Sequence, residues 1–169
     1  MTEAIMKKGL EGVIADESEV SKVMPESNSL TYKGYRVQDL CKQCSFEEVA
    51  YLLWNGELPN EAQLKEFEKQ ERDQRTLSQP LKEVIERFPK SAHPMDTIRT
   101  AVSFLGMEEK HTWDSSREVN LGKAIRLLSK IPTAIAADYR CRKGQQPIEP
   151  KTDLSLSANF FHMCFGEVP

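Results

Sequence analysis

Apolar residues recur at helical spacing through most of this chain, and that rhythm restricts the fold more than any other feature. Leu81, Val84, Ile85 and Phe88 stand at i, i+3, i+4 and i+7, one face of a helix that Pro89 stops. Phe46, Val49, Ala50 and Leu53 share a face behind Ser45-Phe46-Glu47-Glu48, a capping-box pattern; Asn55-Gly56 and Pro59 close that segment. From Asn60 to about Arg75 the chain is charged, with only Leu64 and Phe67 as a thin stripe, which predicts a mostly exposed helix. Pro94 suits the first turn of another, because its missing N–H has no intrahelical partner there. Met95, Ile98, Val102 and Leu105 line that helix, and Gly106 is the expected C-cap.

A polar stretch, residues 107–116, reads as a loop. A longer pattern follows from Glu118, with Leu121, Ile125, Leu128 and Ile131 on one face. Pro132 removes one backbone hydrogen bond and clashes one turn back, so a kink or break is expected there, with Thr133 to Tyr139 as a second limb. Residues 145–150 form a polar connection. The segment from about Leu154 to Phe165 carries Phe160, Phe161, Met163, Cys164 and Phe165 over nearly its whole circumference. A helix apolar all round calls for enclosure on all sides.

The first 37 residues differ. Short β-branched runs (Val13-Ile14, Val20, Val23) precede Pro25, Ser27, Asn28 and Ser29, and Leu30-Thr31-Tyr32 with Tyr35 and Val37 flank Gly34. Two short strands or extended arms around a turn are expected, lying against a larger body because an isolated hairpin is marginal in water. The fold class is mainly α behind a short N-terminal hairpin or arms, with residues 1–37 as the arm and 38–169 as the helical body.

Composition narrows the function. Among 169 residues, 23 Lys and Arg face 26 Asp and Glu, a net charge of -3 that offers no broad attraction to nucleic acid or an anionic membrane. Hydrophobic residues make up 39%, lean beside the usual share of about 45–50%, as if part of the core came from elsewhere. The start lacks a signal-peptide run, no 18 apolar residues stand together, and four cysteines are too few for a disulfide framework. A cytoplasmic protein is expected.

Candidate chemistry is sparse. Cys41-Lys42-Gln43-Cys44 is a C-x₂-C, yet Cys141, Cys164 and three isolated histidines provide no second pair at zinc spacing, and no βαβ unit supports a redox site. Free thiols are the preferred reading, with a zinc-stabilised module as a weaker one. His93, Asp96 and Arg99 suggest acid–base work, but Asp96 suits the dipole of a first helical turn and can pair with Arg99. His162 among aromatic residues reads as a core or interface histidine, and His111 has no evident partner. Arg140, Arg142 and Lys143 form the basic cluster, read as a solvated helix C-terminus rather than a nucleic-acid patch. No phosphate loop, Gly-x-Ser-x-Gly or His-Glu-x-x-His occurs. No catalytic, cofactor-binding or metal-binding residue is assigned.

Several ordered stretches carry a resemblance. Gly9-Leu10-Glu11-Gly12-Val13-Ile14-Ala15 leads to Ser29-Leu30-Thr31-Tyr32-Lys33-Gly34-Tyr35-Arg36-Val37-Gln38-Asp39-Leu40. After these come the stretch from Ser45 to Pro59, Ala92-His93-Pro94-Met95-Asp96-Thr97-Ile98-Arg99-Thr100-Ala101-Val102-Ser103, and the ending from Phe160 to Pro169. This succession resembles the amino-terminal part of the citrate synthase family, more closely its bacterial 2-methylcitrate synthase branch. Lys33, Arg36 and the Cys41/Cys44 pair depart from the family pattern.

The resemblance implies helical homodimers with subunits more than twice this length. They condense oxaloacetate with propionyl-CoA or acetyl-CoA, giving 2-methylcitrate or citrate plus CoA, without a metal or other cofactor. It also implies that the catalytic histidines, aspartate and arginines lie in motifs that residues 1–169 lack. The expectation is therefore an amino-terminal piece of such an enzyme, silent alone and prone to self-association through its apolar last helix. The alternative is a stand-alone helical binding module without catalysis.

Overall fold

A computed structural model describes residues 8–14 and 16–168. The first seven residues, read above for a leader, lie outside the described residues, as do Ala15 and Pro169. The chain divides into two compact units, Met1–Ser45 and Phe46–Pro169.

The first unit holds three antiparallel strands in the order β1 (Ser21–Met24), β2 (Ser29–Tyr32) and β3 (Tyr35–Arg36), followed by helix α1 (Val37–Gln43). Ser21 pairs with Tyr32 and Met24 with Ser29, so Pro25, Ser27 and Asn28 make the turn expected of them. Lys33 and Gly34 both take positive φ (47° and 89°), the paired left-handed geometry of a tight hairpin, and only Gly34 adopts it without a Cβ penalty. This turn adds the third strand, Tyr35–Arg36, to the two expected. Val13 and Ile14 lie outside any strand and are exposed.

The second unit contains six helices among the described residues: α2 (Phe46–Asn55), α3 (Glu61–Asp73), α4 (Gln79–Glu86), α5 (Pro94–Glu108), α6 (Arg117–Arg142) and α7 (Leu156–Phe165). Caps begin several of them. Asn60 and Gln63 form a reciprocal capping box, Ser78 accepts the Leu81 amide, and Ser155 accepts the Ala158 amide. At the far end of α7, Gly166 turns left-handed (φ 85°) and its N–H closes on the His162 carbonyl at 2.8 Å.

Helix α6, about 39 Å long at 1.5 Å per residue, is the axis of this unit. It packs against α3, α4, α5 and α7. Its Ala134 and Ala137 join Leu77, Leu81, Ile85, Ala101 and Leu105. On another side Ile125 meets Ala50 and Phe67, and Ala136 meets Met163 and Cys164. Small alanines on several faces let neighbouring helices approach from more than one direction.

Two expectations need correction, and a third holds with an exception at one end. Helix α6 runs through Pro132 without a break: an interior proline costs about 3 kcal/mol, and buried residues on both sides (Ile125, Ser129, Thr133, Ala134) hold the helix by tertiary packing. Gly106 does not cap α5, which continues to Glu108; its carbonyl instead accepts the Thr112 hydroxyl at 2.9 Å. The charged stretch around α3 is exposed along most of its length, but Glu71 and Arg75 at its end are fully buried.

Candidate functional site

The most enclosed polar chemistry lies where α3 ends. Arg75 and Glu71 are 1% and 0% exposed, one helical turn apart. Arg75 Nε donates to Glu71 Oε1 at 2.9 Å and Nη2 to Oε2 at 2.6 Å, a forked ion pair of the strongest kind. The remaining edge of the guanidinium donates from Nη1 to the carbonyls of Lys151 (2.6 Å) and Leu154 (2.8 Å). Thr133 of α6 donates to the Arg75 carbonyl at 2.9 Å.

Two more buried side chains fasten the same region. Glu47 of α2 accepts the Leu156 amide at 2.8 Å, satisfying a first-turn N–H of α7. Asn159 accepts the Lys151 amide at 2.8 Å. These bonds to protein groups position α7.

The histidines are dispersed. His93 is the N-cap of α5, its Nδ1 accepting the Met95 amide at 3.2 Å, and Asp96 accepts from Arg99 at 2.8 Å. His162 stands half-buried on α7, and His111 is exposed in the 109–116 turn. That turn is built on carboxylates. The His111 amide, helped by Arg126, holds Glu109 below the usual carboxylate range, and the Ser116 amide and hydroxyl do the same for Asp114. Burial is the main force lowering Lys130 and raising the Cys141 and Cys164 thiols. None of the four cysteines forms a disulfide, and among the described residues no three His, Cys, Asp or Glu side chains gather as a metal site.

The basic cluster is not a solvated cap. Arg142 pairs with Asp138 at 2.6 Å, donates to the carbonyls of Lys90 (3.0 Å) and Ala92 (2.7 Å), and reaches Thr97. Arg140 donates to the carbonyls of Gln146 and Cys164. Lys143 lies 4.3 Å above the Tyr139 ring. These cations tie helix ends and connecting segments together.

One surface is open and apolar. The start of α2, the middle of α6 and α7 border a groove of about 290 Å³ lined by Phe46, Pro132, Ile135, Leu156, Ser157, Phe160 and Phe161. Phe46 is 53% and Phe161 43% exposed. An aromatic row continues from it: Phe161 to Phe165 at 5.8 Å between ring centres, then Phe165 to Tyr139 at 5.6 Å, edge to face. The apolar circumference of this helix was legible in sequence, but its partition into a buried and an open side was not.

Comparison with known proteins is consistent along the chain. Residues 9–169 match the family described as "Citrate synthase, C-terminal domain". A 2-methylcitrate synthase of Mycobacterium tuberculosis is 48% identical over 164 residues, covering 97% of this chain and 41% of that protein. A citrate synthase of Mycolicibacterium smegmatis is 49% identical over 162 residues, covering 96% and 43% respectively. The crystal structure of citrate synthase from Thermotoga maritima superposes with a TM-score of 0.85 at 35% identity, over 98% of this chain and 43% of that one. The chain thus spans about two-fifths of the length of the curated relatives it matches. With sequence and helical framework in agreement, this chain belongs to the citrate synthase family.

Proposed function

We propose that this polypeptide is framework from a 2-methylcitrate or citrate synthase subunit. In that reading the complete subunit condenses oxaloacetate with propionyl-CoA or acetyl-CoA, yielding 2-methylcitrate or citrate and CoA. It works as a cytoplasmic homodimer, needs no metal, and engages neither nucleic acid nor membrane. The single supporting observation is the match to 2-methylcitrate synthases at 48% identity over 97% of this chain but 41% of the relative. The 169 residues alone are proposed to be catalytically silent. Condensation needs a base for the acyl α-carbon and donors for the developing oxyanion, held together at hydrogen-bonding reach. The Asp96 carboxylate and His93 Nδ1 are instead engaged in their own helix.

The test is oxaloacetate-dependent thiol release from propionyl-CoA and acetyl-CoA, using protein whose intact mass matches the 169 residues. Release no faster than the enzyme-free control is expected. Robust turnover by this chain would overturn the silent-framework reading and bring His93, Asp96 and His162 forward as catalytic candidates.

A further inference from the structure

We infer that Cys41 and Cys44 form a thiol–disulfide exchange site, at which a small-molecule disulfide of the glutathione type oxidises the pair to a reversible intrachain bridge. The inference is independent of the proposed function. Backbone geometry brings the two residues within bridging range. Helix α1 ends at Gln43, yet the Cys44 N–H still donates to the Leu40 carbonyl at 2.9 Å, the bond of a continuing helix. The Cys44 Cα shares that peptide plane, so it keeps its helical place, about 5 Å from the Cys41 Cα by the rise and radius of an α-helix. Disulfides span Cα separations of about 4.4–6.8 Å. At Cys44 the backbone turns extended (φ -117°, ψ 147°), so no further helical turn opposes the small rotation that brings the Cβ atoms together.

Exposure divides the roles. Cys41 is exposed and Cys44 half-buried, so a disulfide in solution reaches Cys41 first. The Cys41 thiolate bonds one sulfur of the small disulfide and expels the other half as a thiolate. Cys44 then attacks the Cys41 sulfur of the mixed disulfide and expels the second half. In all, the two cysteine thiols give up two electrons and two protons, and the small disulfide takes them up as two thiols. Cys141 and Cys164 are half-buried and buried, and poor access keeps them out of this exchange. Among the described residues no three His, Cys, Asp or Glu side chains gather around a metal position, so the pair's partner chemistry is with itself. The ring it closes holds only Lys42 and Gln43 between the cysteines. So short a loop restrains the unfolded chain least, and an exposed bridge of this kind is labile, a reversible site rather than a structural staple.

The experiment incubates the 169-residue chain with oxidised glutathione, blocks the remaining thiols with iodoacetamide and digests with trypsin in the absence of reductant. Trypsin cuts after Lys42, between the two cysteines, so peptides 37–42 and 43–65 separate unless a disulfide joins them. One linked species is expected, resolved into the two peptides by dithiothreitol and a second digestion. Before alkylation the intact chain should be two hydrogens lighter than the reduced one, and Cys141 and Cys164 should be recovered alkylated. Cys44→Ser should halt the reaction midway, with glutathione retained on Cys41. Cys41→Ser should load glutathione on Cys44 more slowly than Cys44→Ser loads it on Cys41. Circular dichroism checks that each variant keeps its helices, and the wild-type linkage is read without any variant. Peptides that stay separate, a glutathione adduct that persists on wild-type Cys41, or a bridge to Cys141, Cys164 or a second chain each overturn the inference. Faster loading of Cys44 than of Cys41 overturns the assignment of attacking and resolving thiols.

Discussion

Arg75 reports how much a single side chain can hold. Its guanidinium joins Glu71 within α3 to two carbonyls 76 and 79 residues away, so deleting it strands a buried carboxylate and leaves both carbonyls without that donor. Arg75→Met is expected to cost about 3–5 kcal/mol, the penalty typical of breaking a buried pair. Glu71→Leu with Arg75→Met should recover part of that loss, because no charge remains buried, though the Lys151 and Leu154 carbonyls stay without that donor. Urea unfolding of both variants checks the order; a double variant less stable than Arg75→Met would contradict it. The sequence predicts a mostly exposed charged stretch here and does not single this pair out, for a physical reason. A glutamate and an arginine at i and i+4 look the same whether they lie in water or in a core, since burial is decided by segments far along the chain. Asp96 was readable by contrast, because a first-turn acid depends only on neighbours within a few residues.

At the scale of elements, the same division between local and distant causes holds. Leu81, Val84, Ile85 and Phe88 signal α4, and Pro94 opens α5, as the spacing predicts. Pro132 misleads because its effect on α6 is outweighed by packing on several sides, none of it visible in local sequence. The role of Arg142 was missed for a similar reason: its partners at Lys90 and Ala92 are about 50 residues away. Arg142→Met should therefore free the connection between α4 and α5, and trypsin should cut after Lys90 sooner than in the wild type while the far-ultraviolet spectrum is unchanged. Unchanged cleavage would contradict that tie. The 109–116 turn carries a pH prediction. Glu109 and Asp114 titrate below their ordinary values of 4.5 and 3.8. A depressed acid lends stability above its unfolded pKa and loses it as pH falls through the folded one. The His111 and Ser116 amide resonances, donors to these carboxylates at 3.0 and 2.8 Å, should shift with midpoints below 4.5 and 3.8. Midpoints at or above those values would contradict the assignment.

For the whole molecule, a TM-score of 0.85 at 35% identity means that the backbone path survives while most side chains change. What such a path requires is visible in Ala101, Ala134, Ala136 and Ala137, small buried residues where helices approach closely. The same dependence on distant partners makes the helical unit respond as one body to loss of its last helix. Removing residues 151–169 should abolish the cooperative thermal transition seen by circular dichroism, because Arg75, Glu47 and the α6 face that packs on Met163 lose their partners together. A truncated chain that still melts in one sharp step would show that α7 is dispensable.

The bond from the Leu156 amide to Glu47 also sets a clock. Its two ends are separated by 109 residues, and a ribosome adding about 5–20 residues per second delivers the second end roughly 5–20 s after the first. During that interval the nascent α2 carries a carboxylate destined for burial with nothing to receive, and Arg75, just past α3, lacks its two carbonyls. Until α7 is made the earlier helices lack these partners, which makes this stretch of synthesis the window in which a chaperone has most to hold.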